Sequence, residues 1–308
     1  MEIAVFIGLL LAATFRIAAP IGYAALGATV AERSGVINVG LEGMMLFGAF
    51  AGVFVSYLTG NPWLGVLGGV AVAALVALLL AVAVVTFRAN QIVAGMAINV
   101  LALGLTRFGL DTIWNQPGVS PSVAGLGPIE VPLLSQLPIL GEALFQQNPL
   151  VLLLPLLVVA AHLSLVRTPF GRHLEAVGES PEAAESVGID VVKTRYVALI
   201  VSGALAGVGG TVLSLGQLTY FVEAMTAGRG FIALAANIFG RWTAVGAFLA
   251  SLLFGLADAL QLSLQVAGVS IPSQFLLILP YLLTIVAVAG AVGRTNAPAA
   301  LGRPYTRA

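Results

Sequence analysis

The sequence predicts an all-α membrane protein, a polytopic bundle of about 8–10 transmembrane helices with one broken or re-entrant element near 217–241. Two observations carry this. Of 308 residues, 59% are apolar and only 8% are Asp, Glu, Lys or Arg, about a third of the charged content of a soluble domain; the mean hydropathy is +1.06. The charges are also separated by long uncharged intervals, from Gly43 to Phe87, Ala143 to Val166, Tyr196 to Val222 and Ala259 to Gly293, and about 20 apolar residues span a bilayer core. Thirteen basic residues balance thirteen acidic ones, so there is no electrostatic footprint for nucleic acid. Without Cys, and with two isolated His, neither a disulfide scaffold nor a metal centre is expected, and no cofactor is either.

Spans are expected near 17–31, 36–58, 63–86, 92–110, 149–166, 196–216, 243–264 and 274–292. The first begins as early as Ile3; it lacks a basic n-region and an A-x-A-like site, so it reads as an uncleaved helix. Asn61-Pro62 splits the second from the third. Residues 112–129 carry Pro117, Gly118, Pro121, Gly125, Gly127 and Pro128, which no lipid-facing helix absorbs. The last interval breaks near Ser270-Ile271-Pro272. Residues 1–294 then form the membrane domain, and 295–308 a cytoplasmic tail without fixed structure, given Pro298, Gly302 and Pro304.

Lys and Arg set the orientation. Segment 111–148 holds Asp111, Glu130 and Glu142 but no Lys or Arg, so it faces outward. Arg33, Arg88, the loop 167–195 and the C-terminus face the cytoplasm of a multi-pass cell (inner) membrane protein. One difficulty follows: the chain leaves its sixth span outside near Gly216 and must be inside by Arg241. The stretch between, with Glu223 and Gly228-Arg229-Gly230, restores the parity only as a broken or re-entrant element. Irregular backbone survives at membrane depth only where buried in protein or lining a cavity, which makes the break a functional pointer.

Polar groups cluster on three spans. Asn38 and Glu42 share a helix face; Gln91, Gly95, Asn99 and Thr106 fall on one side of the fourth span; Asp258, Gln261 and Gln265 form a stripe on the seventh. Such groups line a path or act as interhelical glue, and the latter suits Asp258 better. Arg107 reads as snorkelling to the headgroups. Runs such as Gly203-Ala204-Leu205-Ala206-Gly207 and Gly65-Val66-Leu67-Gly68-Gly69 read as packing seams.

The only sizeable cytoplasmic loop, 167–195, is the most specific feature. Ser180 is a good N-cap, Pro181 suits the first helical position, Glu182 and Glu185 complement the dipole and Gly188 serves as the stop. The result is a two-turn helix too short to be stable alone.

Leu174-Glu175-Ala176-Val177-Gly178…Ala183-Ala184…Gly188-Ile189 resembles the coupling loop of permease subunits of ATP-binding-cassette importers, in the branch handling ribose-type sugars, branched-chain amino acids and nucleosides. Glu32-Arg33-Ser34-Gly35-Val36-Ile37-Asn38-Val39-Gly40-Leu41-Glu42-Gly43-Met44-Met45 is similar to the signature of its nucleoside permeases, and Ala227-Gly228-Arg229-Gly230-Phe231-Ile232-Ala233-Leu234-Ala235 with Phe239-Gly240-Arg241-Trp242 to their broken segment. Sugar permeases of the branch usually have an Asp-Leu-Ser-type sequence where Asn38-Val39-Gly40 stands.

The resemblance implies a permease subunit of an ATP-driven importer that moves nucleosides, purine or broad-range, by alternating access. Its implied partners are a second permease in a heterodimer, a cytoplasmic ATPase and an extracytoplasmic substrate-binding lipoprotein. Glu175, Gly178, Ala183, Ala184, Gly188 and Ile189 would carry ATPase coupling, and 111–148 would dock the binding protein. The chain is no enzyme on this reading, and it carries no Gly-x-x-x-x-Gly-Lys-Ser/Thr loop. From polarity alone, Asn38, Glu42, Asn99 and Asn237 are expected near the substrate path. The alternatives are a ribose-type sugar permease and an ion-coupled secondary transporter, which would put weight on Asp258 and Glu42. A membrane enzyme has no His–carboxylate or Ser–His grouping to support it, His162 lying in the fifth span and His173 in the loop.

Overall fold

The computed structural model describes residues 2–130, 132, 141, 145–266 and 297–306. Among the described residues seven helical stretches are long and apolar enough to cross a membrane: Phe6–Arg33, Leu41–Thr59, Pro62–Thr86, Gln91–Trp114, Pro149–Arg167, Val191–Leu218 and Ala244–Gln265. Within and between them run α1 (Glu2–Arg33), α2 (Leu41–Thr59), α3 (Pro62–Ala81), α4 (Gln91–Gly109), α5 (Pro149–Arg167), α6 (Pro169–Glu179), α7 (Pro181–Ser186), α8 (Val191–Thr211), α9 (Arg229–Phe239) and α10 (Ala244–Val266). The expected span at 274–292, the break near Ser270-Ile271-Pro272 and Glu142 lie outside the described residues.

Local chemistry sets the helix starts. Asn61, Asn90, Asn148, Thr168, Ser180 and Asp190 each accept a first-turn amide, opening α3 to α8 in turn. Pro62, Pro149, Pro169 and Pro181 occupy first-turn positions, where no amide partner is needed. The helices α3, α4 and α8 end in π-helical turns, Val82–Thr86, Leu110–Trp114 and Val212–Leu218.

Small residues set the packing. A Cβ on Gly48 would lie 2.7 Å from Gly207 Cα, and one on Gly203 2.7 Å from Ala73 O, so α2, α3 and α8 meet almost backbone to backbone. The expected seams are therefore real. The windows of α2 and α8 are 67% buried, against 28% for α4 and α5. The outer pair instead exposes Val93, Val100 and Phe108, and Leu156 and Val159, an apolar surface of the kind lipid covers.

Residues 115–130 form no helix. Val119 bridges Val222, and the amides of Ser120, Val123 and Leu126 donate to Phe221 O (2.9 Å), Thr219 O (2.8 Å) and Leu215 O (2.8 Å). Beyond them β1 (Ile129–Glu130) pairs antiparallel with β2 (Gln146–Gln147). This non-helical cap covers the end of the bundle where α8 finishes; α6 and α7 lie at the other end, where α8 starts.

Three expectations need correction. The second span does not begin its helix at 36: residues 34–40 are an irregular joint, with Gly35 at φ +84°, and the helix starts at Leu41. The reason is tertiary. Side chains supply the joint's partners, Gln91 Oε1 accepting from Ile37 N at 2.8 Å and Asn38 Oδ1 from Gly40 N at 3.1 Å. The loop 167–195 holds two helices rather than one, because Thr168-Pro169 starts α6 ahead of the expected α7. The tail is not without structure: Ala300 N donates to Gly178 O (2.8 Å) and Gly302 N to Gly35 O (3.0 Å). Pro298 and Gly302 make a docked turn rather than a loose end.

Candidate functional site

The break and the joint meet in the interior. After Leu218 the chain runs through 219–228 without regular structure, then forms α9, whose 11 residues span about 16 Å at 1.5 Å per residue, half a bilayer core. Backbone strain concentrates on both flanks of this half-helix. Thr219, Ala224 and Ala227 before it, and Arg241 and Trp242 after it, all have positive φ, each costing on the order of 1 kcal/mol. Segment 219–228 starts against the non-helical cap, and α9 ends against the C-terminal end of α1. Together they return the chain to the α6–α7 end, which resolves the parity problem.

A carboxylate from α2 holds the start of α9. Glu42 Oε1 accepts from Gly228 N at 2.8 Å, and Oε2 accepts from Gly230 N at 2.6 Å. These amides open the half-helix, where N–H groups lack intrahelical partners and the dipole favours an anion. Glycine is required at 230, since a Cβ there would lie 2.5 Å from Glu42 Cα. Arg229 turns back, donating Nη1 to Met225 O and Thr226 O at 3.2 Å, and so ties the break to itself.

The other end of α9 is clamped to α1. Asn237 Oδ1 accepts from Thr29 Oγ1 at 2.8 Å, Asn237 Nδ2 donates to Glu32 Oε2 at 2.9 Å, and Trp242 Nε1 donates to the same oxygen at 2.5 Å. Glu32 is 3% exposed. Its role escaped sequence reasoning, although an acidic residue three positions after Thr29 in an apolar helix was the available signal.

Asn38 and Asn99 brace the joint. Asn38 is fully buried and donates Nδ2 to Ser202 Oγ at 3.0 Å. Asn99 donates to Val39 O at 3.0 Å and accepts from Gly43 N at 2.8 Å. The structure thus gathers Asn38, Glu42 and Asn99 around the start of α2, and sets Asn237 about 10 Å further along α9, by its helical rise. All four make hydrogen bonds to protein partners, and Glu42, half-buried, has two carboxylate lone-pair sites beyond those the amides occupy. Asp258 is half-buried on α10, and Arg107 reaches Glu223 at 3.4 Å.

At the α6–α7 end, Glu175, Ala183 and Gly188 are exposed and Ile189 is half-buried. Gly178 and Ala184 are buried, and Val187, which the sequence did not single out, is 75% exposed. Ser180 and Gly188 frame α7 as expected, the glycine at φ +88°. Together Ala183, Val187 and Gly188 form a small exposed apolar surface.

A membrane bundle with an embedded, carboxylate-held half-helix and short helices presented at one end is built as a transport subunit. The chain belongs to the family described as branched-chain amino acid transport system / permease component, which it matches over residues 10–288. It is 39% identical to the guanosine ABC transporter permease protein NupQ of Bacillus subtilis, over 100% of this chain and 99% of that one. The nucleoside ABC transporter permease protein NupC of Lactococcus lactis is also 39% identical, over 94% of this chain and 93% of that one. The putative glucose ABC transporter permease protein TsgC13 of Haloferax volcanii is 37% identical over 97% of both. No solved structure matches the chain.

Proposed function

We propose that this chain is the membrane-spanning permease subunit of an ATP-driven importer of nucleosides. The observation that carries the transport reading is the half-helix α9, strained at both flanks and held at its start by Glu42. Full-length similarity to permeases named for guanosine and nucleosides supports the substrate class. In this reading Asn38, Glu42, Asn99 and Asn237 bound the substrate path. Glu42 takes hydroxyl and N–H donors of the nucleoside through its remaining acceptor sites, while the three amides hold the walls.

ATP hydrolysis falls to a separate cytoplasmic ATPase that docks on Glu175, Ala183, Gly188 and Ile189, with Gly178 and Ala184 holding the two short helices beneath. A second, different permease completes the path, and an extracytoplasmic substrate-binding lipoprotein docks on the non-helical cap of 115–130. The α6–α7 end and the C-terminus then lie in the cytoplasm. Alternating access is a swing of α9 about its Glu32-held end as Glu42 releases its start. Similarity to a putative glucose permease supports a sugar as the second reading.

The test is purification through an N-terminal tag from native membranes, identification of co-purifying chains, and reconstitution of the complex in vesicles. Guanosine uptake that needs ATP and no ion gradient, with glucose excluded, is expected. Uptake of glucose instead moves the substrate to the sugar class; uptake driven by an ion gradient without ATP overturns the reading.

A further inference from the structure

The tail touches four parts of the molecule at once: the end of α6, the joint, α7 and the start of α8. Ala300 N reaches Gly178 O at the end of α6, and Gly302 N reaches Gly35 O in the joint. Arg195, 2% exposed at the start of α8, donates Nη1 to Arg303 O and Nε to Ser34 O, both at 3.2 Å, so one buried cation grips tail and joint at once. The Arg195 guanidinium lies 5.9 Å from the ring centroid of Tyr305, within cation–π range. The Tyr305 ring is buried with Val177, Ala184 and Val191, and its hydroxyl hydrogen-bonds Glu185 of α7. A glycine is needed at 35, where a Cβ would lie 3.0 Å from Arg195 Nη2 and 3.2 Å from Ala300 O.

The joint continues this chain of contacts to the half-helix. Asn38 and Asn99 fix residues 38–43 to α8 and α4, and Glu42 then holds the first amides of α9. A displacement of α7 therefore has a route of hydrogen bonds and close packing to α9, through Tyr305, the tail and the joint. Arg195 Nη2 has no acceptor among the described residues.

We infer that residues 297–306 are a coupling strap, with Tyr305 and Arg195 as positioning residues that make α7 and the 34–40 joint move as one. The inference rests on the permease reading above, in which α7 receives the ATPase. Without the strap the ATPase still docks on the exposed face of α7, but its stroke reaches α9 incompletely.

The experiment compares the reconstituted transporter with variants Tyr305→Ala and Tyr305→Phe, reading nucleoside molecules moved per ATP hydrolysed. A change that merely lowers the amount of folded protein lowers both rates and leaves their ratio alone. Contacts on a coupling route are worth about 0.5–2 kcal/mol, or roughly two- to thirtyfold at 1.4 kcal/mol per tenfold. Tyr305→Ala is expected to lower the ratio about fivefold within that range. Tyr305→Phe keeps the ring and loses the hydroxyl with its bond to Glu185, and is expected to lower it about twofold. The wild-type ratio in both variants overturns the strap; if Tyr305→Ala fails to accumulate, Tyr305→Phe alone decides. Wild-type vesicles without ATP-dependent uptake overturn the permease reading itself and the strap with it.

Discussion

The two ends of α9 are anchored by the same chemistry in different surroundings. At its start the half-buried Glu42 caps two backbone amides beside an irregular, strained segment. At its end the buried Glu32 binds side chains of Asn237 and Trp242, with Thr29 completing the set. A cap on backbone amides is releasable: water or a substrate can replace either partner, and it is worth about 1–2 kcal/mol. A carboxylate buried among side-chain donors is not, since separating them leaves each unpaired in a low dielectric. The half-helix thus has a fixed end and a movable one.

Substitutions separate these roles. The largest expected effect is that of Glu32→Ala, which orphans the buried donors of Asn237 and Trp242 at a cost of about 3 kcal/mol. Thermal unfolding in detergent should show a lowered transition and reduced yield, and an unchanged transition would remove the fixed end from the comparison. Next comes Gly230→Ala, which forces a methyl against Glu42 and pushes α9 off α2, with an overpacking penalty of about 2 kcal/mol. Both unfolding temperature and uptake should fall.

Glu42→Ala is smaller in stability and larger in function. It removes a cap of about 1–2 kcal/mol, leaves the protein folded in the membrane, and lowers uptake about tenfold or more, at 1.4 kcal/mol per tenfold. Glu42→Gln, which keeps one acceptor oxygen, should fall between it and wild type in the same uptake assay. The smallest effect belongs to Arg107→Ala. This side chain is 69% exposed in its pair with Glu223, and surface pairs are worth about 0.5 kcal/mol, so both unfolding and uptake should match wild type. A large loss there would mean that the link between the end of α4 and the break takes part in transport.

The parts legible in the sequence were those decided within a few residues. Asn61-Pro62, Ser180-Pro181 and Gly188 announced helix ends through local hydrogen bonds and backbone preferences, and the uncharged intervals announced the spans. The break near 217–241 was legible too, from charge parity. What escaped depends on partners far along the chain. Residues 36–40 of the joint read as helix until Gln91 and Asn99, more than 50 residues away, take its hydrogen bonds. The tail reads as loose until Gly178 and Gly35 supply carbonyls to it. Glu32 was hidden by its neighbour Arg33, which made the pair look like an ordinary membrane boundary. In each case the polarity was visible and the partner was not.

The most direct measurement of the central claim is ATP-driven guanosine uptake by vesicles carrying equal amounts of wild-type and Glu42→Ala transporter, with unfolding temperatures measured on the same samples. The variant is expected to be folded and assembled with the ATPase but slowed about tenfold or more. Wild-type uptake by that variant would contradict this, because the movable end of α9 would then need no carboxylate.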